Sequence, residues 1–285
     1  MADLPMMTTP NETAPPCWIC NRNEANSGEH KTKRSDLLAV LGKPTQEAPF
    51  YYHDLHKANR PVGSLDAKIL KSPVRICADC NTARTQPHDR AWEHMSDWLT
   101  TCQQPVKVGG FTRDMGHQPV KVDGFVRGTR QQPLKVGGFV RGNRIFPHNT
   151  RIQMKNVHLF FLKLFGCMIC EAEANGHKLP IDIAPFSKAI MSSRPHPEVH
   201  LQFGKCDGTI GRSNLHCWTT QGGSVLAGWL YELDTIAVSV LFAQGGRWER
   251  RSDLWHPFTG SNRFQIADFQ YKRRTAAGIS NEETA

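Results

Sequence analysis

Four cysteines in two pairs carry the clearest chemistry in this chain: Cys17-Trp18-Ile19-Cys20 and Cys77-Ala78-Asp79-Cys80. A Cys-x-x-Cys knuckle places two thiolates on one ion. Two knuckles complete a tetrahedral four-sulfur shell, the geometry structural zinc prefers. Between the pairs stands Glu29-His30, a carboxylate directly before an imidazole. Just after the second pair come Asn81 and then His88-Asp89. The expected zinc ligands are Cys17, Cys20, Cys77 and Cys80.

Two knuckles bracketing an acidic residue and a His, the second running straight into Asn81, resemble the zinc-bearing HNH (His-Asn-His or His-Asn-Asn) endonucleases. The resemblance covers roughly residues 15 to 100. It implies a ββα-metal site on a zinc-held treble clef, and metal-dependent DNA hydrolysis or nicking of the kind found in phage and bacterial defence or mobility systems. Asn81 falls where that family carries its second signature residue. The chain departs from the pattern in two places. Ser72-Pro73-Val74 stands where a middle Asn is usual, and Lys31 follows His30 where many relatives have an apolar residue.

Phosphodiester hydrolysis needs a base to activate water and a cation to neutralise charge growing on the phosphoryl oxygens. His30 is the expected base, because imidazole titrates near neutral pH. Glu29, Asn81 and Asp89 are the local oxygen donors for Mg2+ or Mn2+, with His88 or Asp89 as the last ligand. The structural zinc cannot serve as that ion, since four thiolates leave it no open position. Lys31, Lys33, Arg34 and Arg84 crowd the same segments and are candidate phosphate contacts.

A chain of 285 residues at a formal charge of +9 is long enough to bury a core and favours a polyanionic partner, nucleic acid before membrane; the endonuclease resemblance implies DNA before RNA. Nine cysteines without a secretory h-region fit a reducing cytoplasm, where paired cysteines hold metal more often than they form disulfides. No run is long enough to span a bilayer. The most apolar one, Val157 to Cys170, contains Lys163 and reads as a buried helix.

The elements that must position these residues give an α+β expectation. Residues 1–16 read as a disordered leader, 17–103 as the HNH-like zinc domain, 104–144 as a basic insert, 145–275 as a second mixed α/β domain, and 276–285 as a tail. A helix is expected from Ser35, as N-cap, to Gly42. Strands are expected at Phe50-Tyr51-Tyr52 and Ile69 to Ile76. A helix follows from Pro87, carrying Trp92, Met95, Trp98 and Leu99 at core spacing. The insert repeats every 14 residues, from Gln104, Gln118 and Gln132, and each unit reads strand, tight turn, strand. Its 41 residues hold eight Lys or Arg against two Asp, most of the chain's excess charge. In the last part, Val199 to Cys206, Asn214 to Thr220, Trp229 to Leu233 and Ile236 to Phe242 read as strands, the last two joined by a turn at Asp234-Thr235. Cys167, Cys170, His177, Cys206, His216 and Cys217 offer material for a second metal site, against the simpler reading of buried thiols.

Besides the endonuclease, two other functions fit this sequence: a zinc-held nucleic-acid-binding module without catalysis, and a protein-interaction module centred on the C-terminal part.

Overall fold

A computed structural model describes residues 15–52, 59–101, 134–246, 253–259 and 262–269. The leader up to residue 14, the first two copies of the repeat and the tail lie outside the described residues. The described residues are mixed α and β, with a long central helix, a five-stranded sheet and two small strand pairs.

The N-terminal part opens with the first knuckle, held closed where the Asn21 N–H donates to the Cys17 carbonyl (2.7 Å) with Asn21 in the left-handed region (φ 51°). Strand β1 (Ser27–His30) pairs antiparallel with β4 (Lys71–Ile76). Helix α1 (Arg34–Leu41) and the small ribbon β2 (Phe50–Tyr52) and β3 (Arg60–Val62) lie between them in sequence. The helix begins two residues earlier than expected, since Ser35 was the expected N-cap. Lys33 stands at the N-cap position and its N–H is taken up by the Tyr231 hydroxyl at 3.0 Å. Gly42 does end it, at φ 74°, with its N–H returned to the Leu38 carbonyl.

Past β4, the second knuckle leads through a π-helical turn (Cys80–Arg84) into α2 (Gln86–Thr101). Trp92, Met95 and Leu99 recur at helical spacing and are fully buried, as their pattern requires. Helix α4 (Thr150–Ala174) is buried without interruption from Asn156 to Ile169, so it runs through the core rather than over it. It packs on α2, on β4 and on α5 (Ala184–Met191).

The sheet takes the order β5-β9-β6-β8-β7, from β5 (Phe139–Arg141), β6 (Val199–Arg212), β7 (His216–Thr219), β8 (Val225–Ala243) and β9 (Arg263–Asp268). Only the β6–β9 pair is parallel. A short helix α3 (Gly142–Ile145) follows β5. The third repeat copy contributes a turn at Val136-Gly137 and then a single strand, β5, not two.

Asp234-Thr235 is not a turn. β8 is one strand of 19 residues, and Asp234 sits inside it in the left-handed region (φ 53°). Opposite, β6 carries an irregularity between Lys205 and Thr209, with Gly208 at φ 80°. Extra residues in one strand bend both and let pairing continue past a residue that would otherwise end it. Buried residues from both sides of the repeat, among them Ile19, Ile76, Trp92, Phe160, Leu201, Tyr231 and Ile266, form one core cluster. No helix among the described residues is long and apolar enough to cross a membrane.

Candidate metal centre and the buried ion-pair site

The sulfurs of Cys17, Cys20, Cys77 and Cys80 lie within 4.8 Å of one another. Cys20 Sγ and Cys77 Sγ are 3.7 Å apart. Zinc–sulfur bonds of about 2.3 Å in a tetrahedron demand a sulfur–sulfur separation of about 3.8 Å, so the spacing fits one zinc ion. The knuckle turn brings the first pair, and the exit of β4 into the helical turn brings the second. The Cys80 N–H points at Cys77 Sγ at 3.4 Å. Burial pushes the Cys17 and Cys80 thiols up. Burial acts the same way on Cys20, but the N–H groups of Asn23 and Arg22 and its thiol neighbours outweigh it and bring that thiol down to about 7. Four thiolates at this distance repel strongly, and a divalent cation is what makes them compatible. Among the described residues, this is the one group of three or more His, Cys, Asp or Glu close enough to share an ion.

The expected catalytic residues are placed differently. Glu29 and Asp89 are both buried, and the ammonium of Lys163 from α4 lies between them. Lys163 Nζ is 3.2 Å from Glu29 Oε2, and 2.9 and 3.2 Å from the two Asp89 oxygens. Lys33 Nζ adds a second cation to Asp89 at 3.5 Å. Burial works against the Lys163 charge, but Glu29 and Asp89 outweigh it and hold its pKa above the ordinary lysine value. Burying a charge without such partners would be prohibitive. The two carboxylates thus serve a protein cation.

His88 is also buried. Its pKa is lowered to about 4, first by burial and then by the Lys163 charge, so it is neutral at pH 7. His30 donates from Nε2 to the Leu65 carbonyl (3.0 Å), which leaves Nδ1 as its acceptor. Asn81 donates to Ser27 Oγ (2.8 Å) and to the Gly28 carbonyl (3.4 Å). Asn81 is therefore fastened beside the strand that carries His30, but among the described residues no hydrogen bond joins the two.

The four basic residues are largely engaged with acids. Lys31 meets Glu171 (3.7 Å) and lies over the Tyr52 ring, Lys33 meets Asp89 and Glu93 (3.3 Å), and Arg34 meets Asp66 (3.8 Å). Arg84 donates to the Met191 carbonyl at 3.5 Å. Cys167, Cys170, His177, Cys206, His216 and Cys217 do not gather into a second metal site among the described residues. Cys206 belongs to a separate small cluster and donates to the Asp234 carbonyl at 3.0 Å.

Two residues at the centre of this arrangement had no assigned role in the sequence. Lys163 carried a signal, a lone charge inside an apolar helical run, which obliges it to find counter-charges. Asp36 carried none. It accepts from Trp92 Nε1 (2.7 Å), the Tyr231 hydroxyl (2.6 Å) and the Ser96 hydroxyl (3.3 Å), which fastens α1 to α2 and β8. No family model, no curated protein and no solved structure matches the chain.

Proposed function

We propose that this chain is a zinc-held nucleic-acid-binding protein whose HNH-like frame is used for structure and binding, not for hydrolysis. Knuckle, antiparallel pair β1–β4, second knuckle and helix α2 follow one another in the order of a treble clef with a ββα unit. The observation that carries the reading is Lys163, whose ammonium stands between Glu29 and Asp89. A divalent ion bound there would have to displace a buried cation that already has two carboxylate partners, and the ion's charge would repel Lys163. The net charge of +9 supports an anionic partner, and Arg34, beside the zinc unit, is exposed.

The test has two arms. Purified protein should contain one zinc per chain, and stripping it with a chelator should unfold the N-terminal part, since structural zinc is worth on the order of 10 kcal/mol in small metallo-domains. The protein should retain DNA with an affinity that falls as salt rises, yet leave supercoiled plasmid intact under Mg2+ or Mn2+. Absence of salt-dependent retention would remove the nucleic-acid reading.

A second reading is kept by one contact. The Asn81 amide is fixed to Ser27 and Gly28, next to Glu29-His30 on the same strand. That is the neighbourhood a phosphodiesterase with His30 as base would need. Plasmid nicking by the wild type that is lost in His30→Ala, with zinc content and DNA retention unchanged, would establish it in place of the first reading.

A further inference from the structure

We propose that the outer face of the β5–β9 pair, with the junction from which α3 and α4 start, binds a single-stranded nucleic acid; this rests on the nucleic-acid reading above and names its surface and strand state. From Gly124 to Cys170 the sequence holds no Asp or Glu. Three arginines of this stretch and one of β9 gather at one junction. Gly142 donates its N–H to the Asn262 carbonyl, and it lies so close to α4 that a Cβ there would fall 3.1 Å from the Thr150 and Met154 side chains. Arg141 and Arg144 flank Gly142, Arg151 follows Thr150, and Arg263 follows Asn262. All four arginines are exposed. Among the described residues no ion pair reaches Arg141, Arg144 or Arg151, whereas Lys31, Lys33 and Arg34 each meet a carboxylate. Asp268, the one acid of β9, stands at its far end, opposite Lys205.

Charge alone attracts any polyanion, and Phe139 narrows the choice. Burial alternates along β5, with Val140 in the core and Phe139 and Arg141 outward. The Phe139 ring is 54% exposed, and the Arg263 guanidinium lies over it at 4.9 Å from the centroid. That cation–π contact holds the ring in a fixed attitude. The backbone beneath it is clamped to β9. Gln265, directly opposite Phe139, donates from Nε2 to the Gly137 carbonyl at 3.1 Å, and the Gly137 N–H donates to the Ile266 carbonyl at 2.8 Å. A fixed, exposed ring among arginines is a stacking platform for unpaired bases, with the guanidinium groups on the phosphates. A duplex offers the same phosphates but keeps its base faces stacked on one another, so it gains nothing from the ring. The repeat carries the same set. Lys135, Phe139 and Arg141, all exposed here, recur as Lys107, Phe111 and Arg113 and as Lys121, Phe125 and Arg127. The core-facing Leu134 and Val140 are replaced in the first copy by Val106 and Thr112.

The experiment is fluorescence anisotropy of the full-length protein, freed of bound nucleic acid, with an oligothymidylate of about 20 nucleotides and with a dA·dT duplex of the same length. At one salt concentration the single strand should bind about tenfold or more tighter than the duplex. Phe139→Leu keeps apolar bulk on the strand but removes the π face. It should weaken single-strand binding by about fivefold or more, and by more than it weakens the duplex. Arg141→Ala/Arg151→Ala should make log K fall less steeply with log salt, by about 1.4 in slope. These side chains are exposed, so both variants should melt with the wild type. If Phe139→Leu melts early, the arginine variant and the comparison of strand with duplex carry the test. Binding by the wild type that neither variant weakens would overturn the proposal while leaving the nucleic-acid reading in place. A duplex bound as tightly as the single strand would overturn it too. Polyglutamate displacing the probe as well as unlabelled oligothymidylate does would show charge attraction alone, with the same consequence. Binding of neither strand nor duplex would remove this proposal and the nucleic-acid reading together.

Discussion

The Trp18 indole occupies the space in which a side chain on Gly166 would stand: a Cβ at position 166 would fall 2.2 Å from the ring. Trp18 lies inside the first cysteine knuckle and Gly166 is in the middle of α4. The contact seats the metal-binding turn directly on the central helix. Gly166→Ala forces the ring to move, and overpacking of this kind costs about 1–3 kcal/mol. A helix interior gains up to about 1 kcal/mol from Gly to Ala, which only partly offsets it. We expect a lower melting temperature with zinc content unchanged. A variant as stable as the wild type would mean that the knuckle is not tightly seated.

Lys163 joins the two halves by charge, reaching Asp89 across 74 residues of sequence. Lys163→Met keeps an unbranched side chain, one atom shorter, but leaves Glu29 and Asp89 buried near each other with only Lys33 for relief. Breaking a buried pair from one side costs about 3–5 kcal/mol. Adding Glu29→Gln and Asp89→Asn should restore a large share of that loss, because neutral amides tolerate the burial better. Urea unfolding of the single and triple variants measures both steps. A triple variant no more stable than Lys163→Met would show that shape, not charge, holds this place.

These two contacts also show how far the sequence could be read. The four cysteines were legible because ligand spacing is local within each knuckle, and the zinc geometry then demands that the knuckles meet. The core of α4 was legible from its apolar run, Val157 to Cys170, but not the turns that extend it to Thr150 and Ala174. The role of Lys163 was not, because its partners come from β1 and α2 and only the packed fold brings them within 3.2 Å. Asp234-Thr235 misled for a related reason. Residues that favour turns are equally at home in a left-handed strand residue, and what decides between them is the irregularity in β6 opposite. Likewise Glu29 and Asp89 have the chemistry of metal ligands, and whether they meet a metal or a lysine is decided by a third element.

Acid should destabilise the protein well above the pH at which carboxylates titrate. His196 and His200 are held near 4, first by burial and then by the neighbouring His256, and His88 is held near 4 by burial and Lys163. His158, fully buried, is pushed well below its ordinary value by burial and His256. Their folded pKa values lie below the unfolded value of about 6.5, so the unfolded chain takes up protons first as pH falls. Stability is intact above about pH 6.5 and erodes between there and about 4, by roughly 3 kcal/mol for each group carried over that range. Asp36 acts in the opposite sense, since burial raises its pKa, but it is one group against four. The urea midpoint should drop between pH 7 and pH 5, and His200→Gln should flatten that drop. A midpoint independent of pH over this interval would show that these rings gain protons equally in both states.

The repeats divide into a part that can go and a part that cannot. Residues 118–131 make up one whole unit, polar and rich in Gly and Pro, with little apolar surface to bury. Removing them keeps the third copy in phase. That third copy is built into the fold: Leu134 and Val140 are buried, Val140 faces Phe264 across the β5–β9 pair, and the Gly137 N–H donates to the Ile266 carbonyl at 2.8 Å. Deleting 118–131 should therefore leave the melting temperature within about a degree of the wild type, since shortening a connection by one such unit changes its closure entropy by only about half a kcal/mol. Val140→Asp, by contrast, puts an unpaired charge into the core at the sheet edge and should cost several kcal/mol. Thermal melts of the two variants side by side separate the cases. If the deletion were as damaging as Val140→Asp, the second copy would have to share the structural role that the third performs.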